Sequence, residues 1–220
     1  MSDDQDSISI AAAVGRLRSL EAEHVRLAHE IWGANVSEAF EVDLVVNAVI
    51  QRSLALIDGF TALIERRNLL CATPLLRLQL DSIMRLYACA IALDTHSVVS
   101  QLLDGKPLHT LKSKDGQRLT DKHLHEQASG VFPWLSHLYE QSSSFVHLSS
   151  PHLFAPITGV DNGSRSAAIH IRKGGPKCED SDVLGTVEAF HLATAGVLCL
   201  CHTWLTDKRE IGGTAAPGAD

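Results

Sequence analysis

The chain has 220 residues, of which 45% are hydrophobic and 20% are charged, and its formal net charge is −7 at pH 7. This length and composition fit one globular domain and exclude a disordered or collagen-like chain. The acidic balance argues against non-specific nucleic-acid binding, because such binding depends on basic patches that neutralise phosphates.

Apolar residues recur every three to four positions through most of the first hundred residues, which is the pattern of amphipathic helices. Within this region Thr73 suits an N-cap, and Pro74 suits the first helical position, where its missing N–H is not needed. Gly105 and Pro107 end the series. The spacing predicts four helices, over residues 10–32, 43–67, 74–93 and 95–103.

The second half of the chain interrupts this helical spacing twice, first with a lysine-rich polar stretch and then with two β-type runs. The two runs flank Asp161-Asn162-Gly163-Ser164, which suits the turn of a β-hairpin. The predicted elements are a surface loop over 106–130 with at most a short helix near 121–127, a helix over 133–148, strands over 153–160 and 167–172, and a last helix over 181–208.

These elements predict an all-α protein, a helical bundle of about five to six helices with a β-hairpin at about 153–172 inserted before the last helix. No linker divides the chain, so we expect a single helical domain over 9–209, with disordered segments at 1–8 and 210–220. The acidic start lacks the order of a signal peptide, and the uncharged run 189–206 contains histidines and threonines. We therefore expect a cytoplasmic protein that does not associate with membranes.

The third predicted helix is apolar on nearly all sides but carries three charged residues on one face. Arg77, Asp81 and Arg85 are each separated by four positions, which places them within reach of one another. Two arginines around one aspartate leave a surplus positive charge, and a guanidinium binds carboxylate or phosphate groups well. We predict a pocket for a small anionic ligand or nucleotide. The alternative is a salt-bridged seam between helices.

A segment rich in serine and histidine, SSSFVHLSSPHLF, supplies the candidate catalytic residues His147 and His152. Histidine titrates near neutrality and is the usual proton-transfer residue. Ser149 is a further candidate ligand-binding residue. If this segment closes over the third helix, Arg77 and Arg85 hold an anion while His147 transfers a proton. The alternative is that the serines end a helix and the histidines bond to local backbone groups.

The sequence gives weaker evidence for a metal or cofactor site than for the anion pocket. Two Glu-x-x-His pairs match part of a di-iron bundle, but a chain this rich in both residues contains such pairs by chance. The residues of that arrangement are Glu21, His24, Glu188, His191, Glu65 and Asp81. The five cysteines lack zinc-finger spacing, and we expect them to be small buried hydrophobes. We assign no metal, and the cofactor is unknown.

The segments CATPLLRLQLD and SSSFVHLSS resemble uncharacterised bacterial helical proteins of unknown function. Over residues 42–150 the helix arrangement is also loosely similar to the HEPN superfamily of nucleotide-binding and ribonuclease bundles. The resemblance implies a homodimer, to which Trp134 and Leu135 are candidate exposed apolar contributors.

Ribonucleases of that superfamily carry an arginine followed by a histidine four to six residues later. Three pairs match this spacing, Arg18 with His24, Arg118 with His123, and Arg165 with His170. The resemblance implies, as an alternative function, a ribonuclease of a toxin or phage-defence system that acts on RNA through Arg118 and His123 or His125. A further alternative is a structural or interaction module without catalysis, so whether the protein is an enzyme stays open.

Overall fold

The computed structural model describes residues 3–33, 39–174 and 177–214. Within them the chain forms eight α-helices, a short 3-10 turn and a two-stranded antiparallel sheet, which confirms the predicted helical bundle with its inserted hairpin. The elements are α1 (Asp3–Trp32), α2 (Glu41–Glu65), α3 (Leu69–Ile91), α4 (Thr95–Leu103), the 3-10 turn (Leu108–Thr110), α5 (Asp121–Val131), α6 (Leu135–Ser143), α7 (Ser150–Phe154), β1 (Ile157–Asp161), β2 (Ser166–Ile169) and α8 (Asp180–Thr214).

The helices at the two ends are longer than predicted. Residues 3–8 and 210–214 are helical, whereas we predicted disorder over 1–8 and 210–220, and the remaining residues of those segments lie outside the described residues. The helix count exceeds the predicted five to six because residues 121–131 and 150–154 each form a short helix.

A three-residue turn joins α2 to α3 and makes them antiparallel neighbours. Arg67 adopts a left-handed conformation with φ 52°, and its N–H donates to the Ile64 carbonyl at 2.8 Å. The Asn68 N–H reaches back to the Leu63 carbonyl at 2.9 Å. These bonds satisfy carbonyls that the end of α2 would otherwise leave unpaired.

Asn68 also begins α3, earlier than predicted. Its side chain accepts a hydrogen bond from the Cys71 N–H at 3.3 Å. The predicted cap at Thr73 is therefore wrong, and the Thr73 hydroxyl donates to the Leu69 carbonyl instead. Pro74 lies inside α3, where its missing N–H removes one intrahelical bond. The tight turn places a good capping residue in position before the proline is reached.

The core lies between α1, α2, α3 and α8, with α4, α5 and α6 packed on the outer side of α3. The rings of Phe60 and Phe190 stack at its centre with their centroids 4.0 Å apart. Gly196 lets α8 pack closely on Ile83 of α3 and on Trp134, because a Cβ there would lie 2.9 Å from Ile83 Cδ1 and 3.1 Å from the Trp134 ring. Trp134 is accordingly half-buried and Leu135 is fully buried, so the prediction that they are exposed is wrong.

Two helices have the length and composition of a membrane span. The mean hydropathy of the most apolar window is 1.2 in α2 and 1.6 in α8. About half of each window is buried inside the bundle, 50% and 44% respectively, and core helices of globular proteins meet the same criterion. Phe190, Val197 and Cys201 are buried along α8, which fits the interpretation of this run as a core helix.

A hydrogen-bonded network of buried polar side chains crosses the four central helices. His24 Nδ1 faces the Leu20 carbonyl at 2.8 Å and therefore carries the proton, so Nε2 accepts from the Ser53 hydroxyl at 2.8 Å. The Gln79 amide donates to Ser53 at 2.5 Å and to the Thr194 hydroxyl at 3.2 Å. These contacts join α1, α2, α3 and α8. Burial lowers the pKa of His24 below its ordinary value of 6.5.

This shift makes stability depend on pH. Because the folded-state pKa of His24 is depressed, the unfolded chain binds the proton more readily, and stability falls as pH drops below about 6.5. We expect His24→Phe to lower the melting temperature at pH 7.5 but to make its decline from pH 7 to pH 5 shallower. The matched control is His29→Phe, an exposed histidine of the same helix. An unchanged slope in His24→Phe would contradict this account.

A buried ion pair fastens α8 to the start of α2. Lys208 Nζ lies 2.7 Å from Asp43 Oδ2 and 2.8 Å from the Ile31 carbonyl, and both charged side chains are at most 2% exposed. The Trp204 indole N–H and the Phe40 backbone N–H also donate to the Asp43 carboxylate, each at 2.8 Å. Both charged groups therefore have several hydrogen-bond partners, which a buried ion pair needs.

Removing one partner of this ion pair should destabilise the folded protein. We expect Lys208→Met to reduce the free energy of unfolding by about 3–5 kcal/mol, because it leaves the Asp43 carboxylate buried without its cation. Chemical denaturation followed by circular dichroism measures this change. The control Lys122→Met removes a lysine from an exposed pair with Glu126 and should have little effect. Equal effects of the two substitutions would refute the structural role of Lys208.

Candidate functional site

Part of the predicted charged stripe forms an ion-pair seam across three helices. The Asp81 carboxylate accepts from Arg85 Nη2 at 2.8 Å and from Arg52 Nη1 of α2 at 3.0 Å. Arg85 also reaches Asp121, the first residue of α5, at 3.0 Å. The side chains of Asp81 and Arg85 are only 22% and 24% exposed, so the seam is partly buried. We define these four residues as the Asp81 seam.

Arg77 lies outside the Asp81 seam. Its guanidinium stacks over the Tyr139 ring of α6, 3.9 Å from the ring centroid, which is a cation–π contact. Tyr139 in turn packs against the His125 ring at 4.5 Å. In the part of the chain that the structure describes, no ion pair joins Arg77 to Asp81. The predicted stripe therefore divides into two separate contacts.

A cleft of about 670 Å³ opens beside Arg85, between α3, the end of α4 and the start of α5. We call it the Arg85 cleft. This volume is typical of small-molecule sites. Its polar lining comes from Arg85, Lys106, His109, Thr120 and Asp121, and its apolar lining comes chiefly from Leu102, Leu108 and Leu119.

The Arg85 cleft has features that favour a negatively charged ligand. Its lining contains two cations, Arg85 and Lys106, and one carboxylate, Asp121. Asp81 pairs with Arg85 and Arg52, and Asp104 pairs with Lys106, so the formal charges of the lining and its ion-pair partners balance. The N-terminus of α5 adds a favourable dipole, since Thr120 caps the helix at this wall by accepting from the His123 N–H at 3.2 Å. Lys106 is held by Asp104 at 2.7 Å in an exposed pair.

The predicted residues of the Ser/His-rich segment lie elsewhere. His147 is exposed in a bend after α6, and the Ser149 hydroxyl donates to the Ser144 carbonyl. The His152 ring meets the Phe145 ring edge-on at 6.0 Å, and its Nδ1 is buried without a partner among the described residues. None of these residues lines the Arg85 cleft, and no hydrogen bond or ion pair in the described structure links them to the Asp81 seam.

A second open cavity, of about 720 Å³, lies between the first turns of α3, the end of α6 and the start of α8. We call it the α3–α8 cavity. Its lining includes Leu69, Leu70, Phe145 and Ala155, with Lys177 and Asp182 as opposite charges. It contains none of the predicted site residues, and its charges balance. It therefore offers an apolar surface more than an anion site.

The structure also separates the residues of the predicted di-iron arrangement. Glu188 pairs with Arg16, Glu65 pairs with Arg18, and His24 belongs to the buried network described above. Among residues 3–33, 39–174 and 177–214, no three histidine, cysteine, aspartate or glutamate side chains converge in a way that could hold a metal.

The residues of the ribonuclease alternative have structural contacts of their own. His123 Nε2 lies 3.2 Å from the Ser113 hydroxyl and 3.7 Å from the Asp115 carboxylate, with its side chain only 12% exposed. These contacts hold the turn over 111–119, while Arg118 is exposed. Within residues 39–174, no hydrogen bond or ion pair joins Arg118 to His123. The ribonuclease function remains a prediction.

Sequence reasoning missed four residues of this site, Arg52, Lys106, His109 and Asp121. A signal existed for one of them, because Arg52 is the only charged residue between Asp43 and Asp58 in an otherwise apolar helix. A lone charge in α2 favours pairing with the charged face of the neighbouring helix α3. The other three lie in and after a polar stretch that we predicted as a surface loop, where spacing gives no information on proximity.

Comparisons with protein-family models, with curated proteins and with solved structures find no match. We therefore interpret the site from the geometry of its own residues.

The cysteines offer no nucleophile in the Arg85 cleft. Burial raises the pKa of Cys89 and of Cys201 to about 12, so both thiols stay protonated. Cys71 and Cys199 are exposed and Cys178 is half-buried, so the expectation that all five are buried is wrong for these three. Cys71 and Cys199 lie on exposed positions of α3 and α8, and Cys178 lies in the segment before α8.

We expect a thiol reagent such as Ellman's reagent to label Cys71, Cys178 and Cys199 in the native protein. The two buried cysteines should react only after unfolding, because their thiols are inaccessible and protonated. Peptide mass spectrometry after brief labelling identifies the modified residues. Rapid native labelling of Cys89 or Cys201 would show that α3 or α8 is not packed as described.

Proposed function

We propose that this protein binds a small anionic ligand in the Arg85 cleft, through a phosphate or carboxylate group. One observation carries the proposal: Arg85 is held from behind by the partly buried Asp81 while it lines an open cleft that also contains Lys106 and His109. A guanidinium fixed in this way loses little conformational freedom when it binds an anion. We also propose that the protein acts in the cytoplasm.

The lining favours recognition of an anionic group over recognition of a nucleobase. Apart from the His109 imidazole, the lining residues contain no aromatic ring on which a base could stack. Arg85 supplies a planar fork of donors, and Lys106 supplies a second, mobile cation at the exposed edge. A compact phosphorylated or carboxylated molecule therefore fits the cleft better than a nucleoside does.

An incoming anion must displace the Asp121 carboxylate from Arg85. Its carboxylate is 53% exposed and shares Arg85 with Asp81, which is 22% exposed. A ligand can therefore replace the outer carboxylate on Arg85 without disturbing the inner one. This arrangement makes Asp121 a competitor of the ligand, and its removal should improve binding.

Isothermal titration calorimetry with inorganic pyrophosphate tests the proposal. We expect Arg85→Met to weaken binding by about 10- to 100-fold, since hydrogen bonds to charged groups contribute roughly 1.5–3 kcal/mol. Asp121→Asn should tighten binding, because it removes the competing charge. The matched control is Arg77→Met, which removes an arginine from the same helix but outside the cleft.

Two results would overturn the proposal. The first is the absence of pyrophosphate, phosphate and citrate binding by the wild-type protein. The second is binding that Arg85→Met leaves unchanged. Circular dichroism of each variant shows whether the bundle stays folded, so that a loss of binding is not mistaken for a loss of structure.

The ribonuclease alternative has a separate test. It requires that overexpression of the chain arrests growth and that His123→Ala relieves the arrest; growth arrest that persists in this variant would exclude His123 as the acid–base residue. An interaction role has an observation of its own, which is the exposed segment described next.

A further inference from the structure

Residues 145–174 form a segment with an unusual concentration of exposed apolar side chains. We call this segment the arm; it contains α7 and the β-hairpin. Six of its large apolar residues are between 58% and 86% exposed, namely Leu148, Leu153, Phe154, Val160, Ile169 and Ile171. A concentration of exposed apolar side chains in one segment is typical of an interaction site in a folded protein.

The hairpin of the arm has little support from its own chain. β1 and β2 pair in antiparallel fashion and pack on each other, and no other described element packs extensively on them. Every residue of β2 is exposed, and so is every residue of β1 except Ile157. An isolated two-stranded hairpin is marginally stable in water. Another surface must therefore cover the arm for the hairpin to persist.

The charge of the arm indicates what kind of surface covers it. The arm carries three basic residues, Arg165, Arg172 and Lys173, against one acidic residue, Asp161. Its net charge is therefore +2. Because the whole chain has a net charge of −7, the residues outside the arm have a net charge of −9. A positive apolar arm is complementary to the acidic body of another copy of the same chain.

We propose that a second copy of this chain covers the arm, in a two-fold arrangement in which each arm lies on the body of the other subunit. The α3–α8 cavity, at the base of the arm, offers an apolar surface lined by Leu69, Leu70 and Phe145 that can receive side chains of the partner's arm. The arm has 30 residues, which is about the number that each side of a standard interface contributes. A closed two-fold dimer buries both arms at once.

The composition of the arm favours a protein over a nucleic acid as its occupant. Protein surfaces that bind nucleic acids contact the phosphates through many lysines and arginines. The arm has only three such residues, and its exposed large apolar residues are more than twice as numerous. Burial of those apolar side chains is the dominant gain available to this surface, and another protein surface provides it.

Sedimentation velocity of the full chain tests the dimer. We expect twice the chain mass of 23.8 kDa for the wild type. Ile171→Asp and Leu148→Asp should each raise the dimer dissociation constant by about a hundredfold, because they place a charge in the apolar centre of the interface. The matched control is Leu93→Asp, which changes a leucine that is 69% exposed outside the arm and should leave the dimer intact.

Two outcomes would overturn the proposal: a monomeric wild type, or a dimer that both arm variants leave unchanged. If the wild type is a monomer and its arm variants lose affinity for a single-stranded RNA, the occupant of the arm is a nucleic acid instead. Circular dichroism should show unchanged helicity in all variants, since each substituted side chain is exposed. The experiment measures the mass of the protein and not anion binding. The dimer proposal can therefore fail while anion binding in the Arg85 cleft is confirmed, and anion binding can fail while the dimer is confirmed.

Discussion

The pairing of the Asp81 carboxylate is the interaction on which the rest of the site depends. α3 packs against α2, α8, α4, α5 and α6, so little of its surface meets solvent. A carboxylate on such a helix needs cationic partners, because an unpaired buried charge is costly. Arg85 and Arg52 satisfy this requirement, and Arg85 then extends to Asp121. The same pairing that makes the charge tolerable inside the bundle fixes a guanidinium at the wall of a cleft.

The bundle divides its polar interactions between structure and site. The network around His24 and Gln79 and the ion pair between Asp43 and Lys208 lie among α1, α2, α3 and α8, away from the Arg85 cleft. Buried polar contacts of this kind fix helix register only when every member is satisfied. Gln79 Oε1 is buried without a hydrogen-bond partner among the described residues, so the His24 network is not fully satisfied. The polar lining around Arg85 comes from residues after α4, in the 3-10 turn and at the start of α5.

Local patterns predicted most of the fold. Helical spacing found α2, α3, α4 and α8, and Asn162-Gly163 marked the hairpin turn, because these features depend on residues near one another in sequence. The structural predictions that were wrong concern features that depend on tertiary contacts. The left-handed turn at Arg67 moved the start of α3, and packing into the hydrophobic core buried Leu135.

The candidate site was predictable only in part. Asp81 and Arg85 share one helix face, so their pairing follows from spacing. The partner Arg52 comes from another helix, and its role depends on the antiparallel packing of α2 on α3. His147 could not be placed from sequence, since the predicted helix over 133–148 ends at Ser143 and the chain then bends.

The most direct test of the account is a ¹H–¹⁵N correlation spectrum of the deuterated, full-length protein during titration with inorganic pyrophosphate. If the Asp81 seam presents Arg85 to an anion, the largest shifts will fall on the Arg85 side-chain Nε–H and on amides of residues 105–109 and 119–122. Shifts confined to residues 144–155, beside the α3–α8 cavity, or a spectrum that does not change, would contradict the central claim.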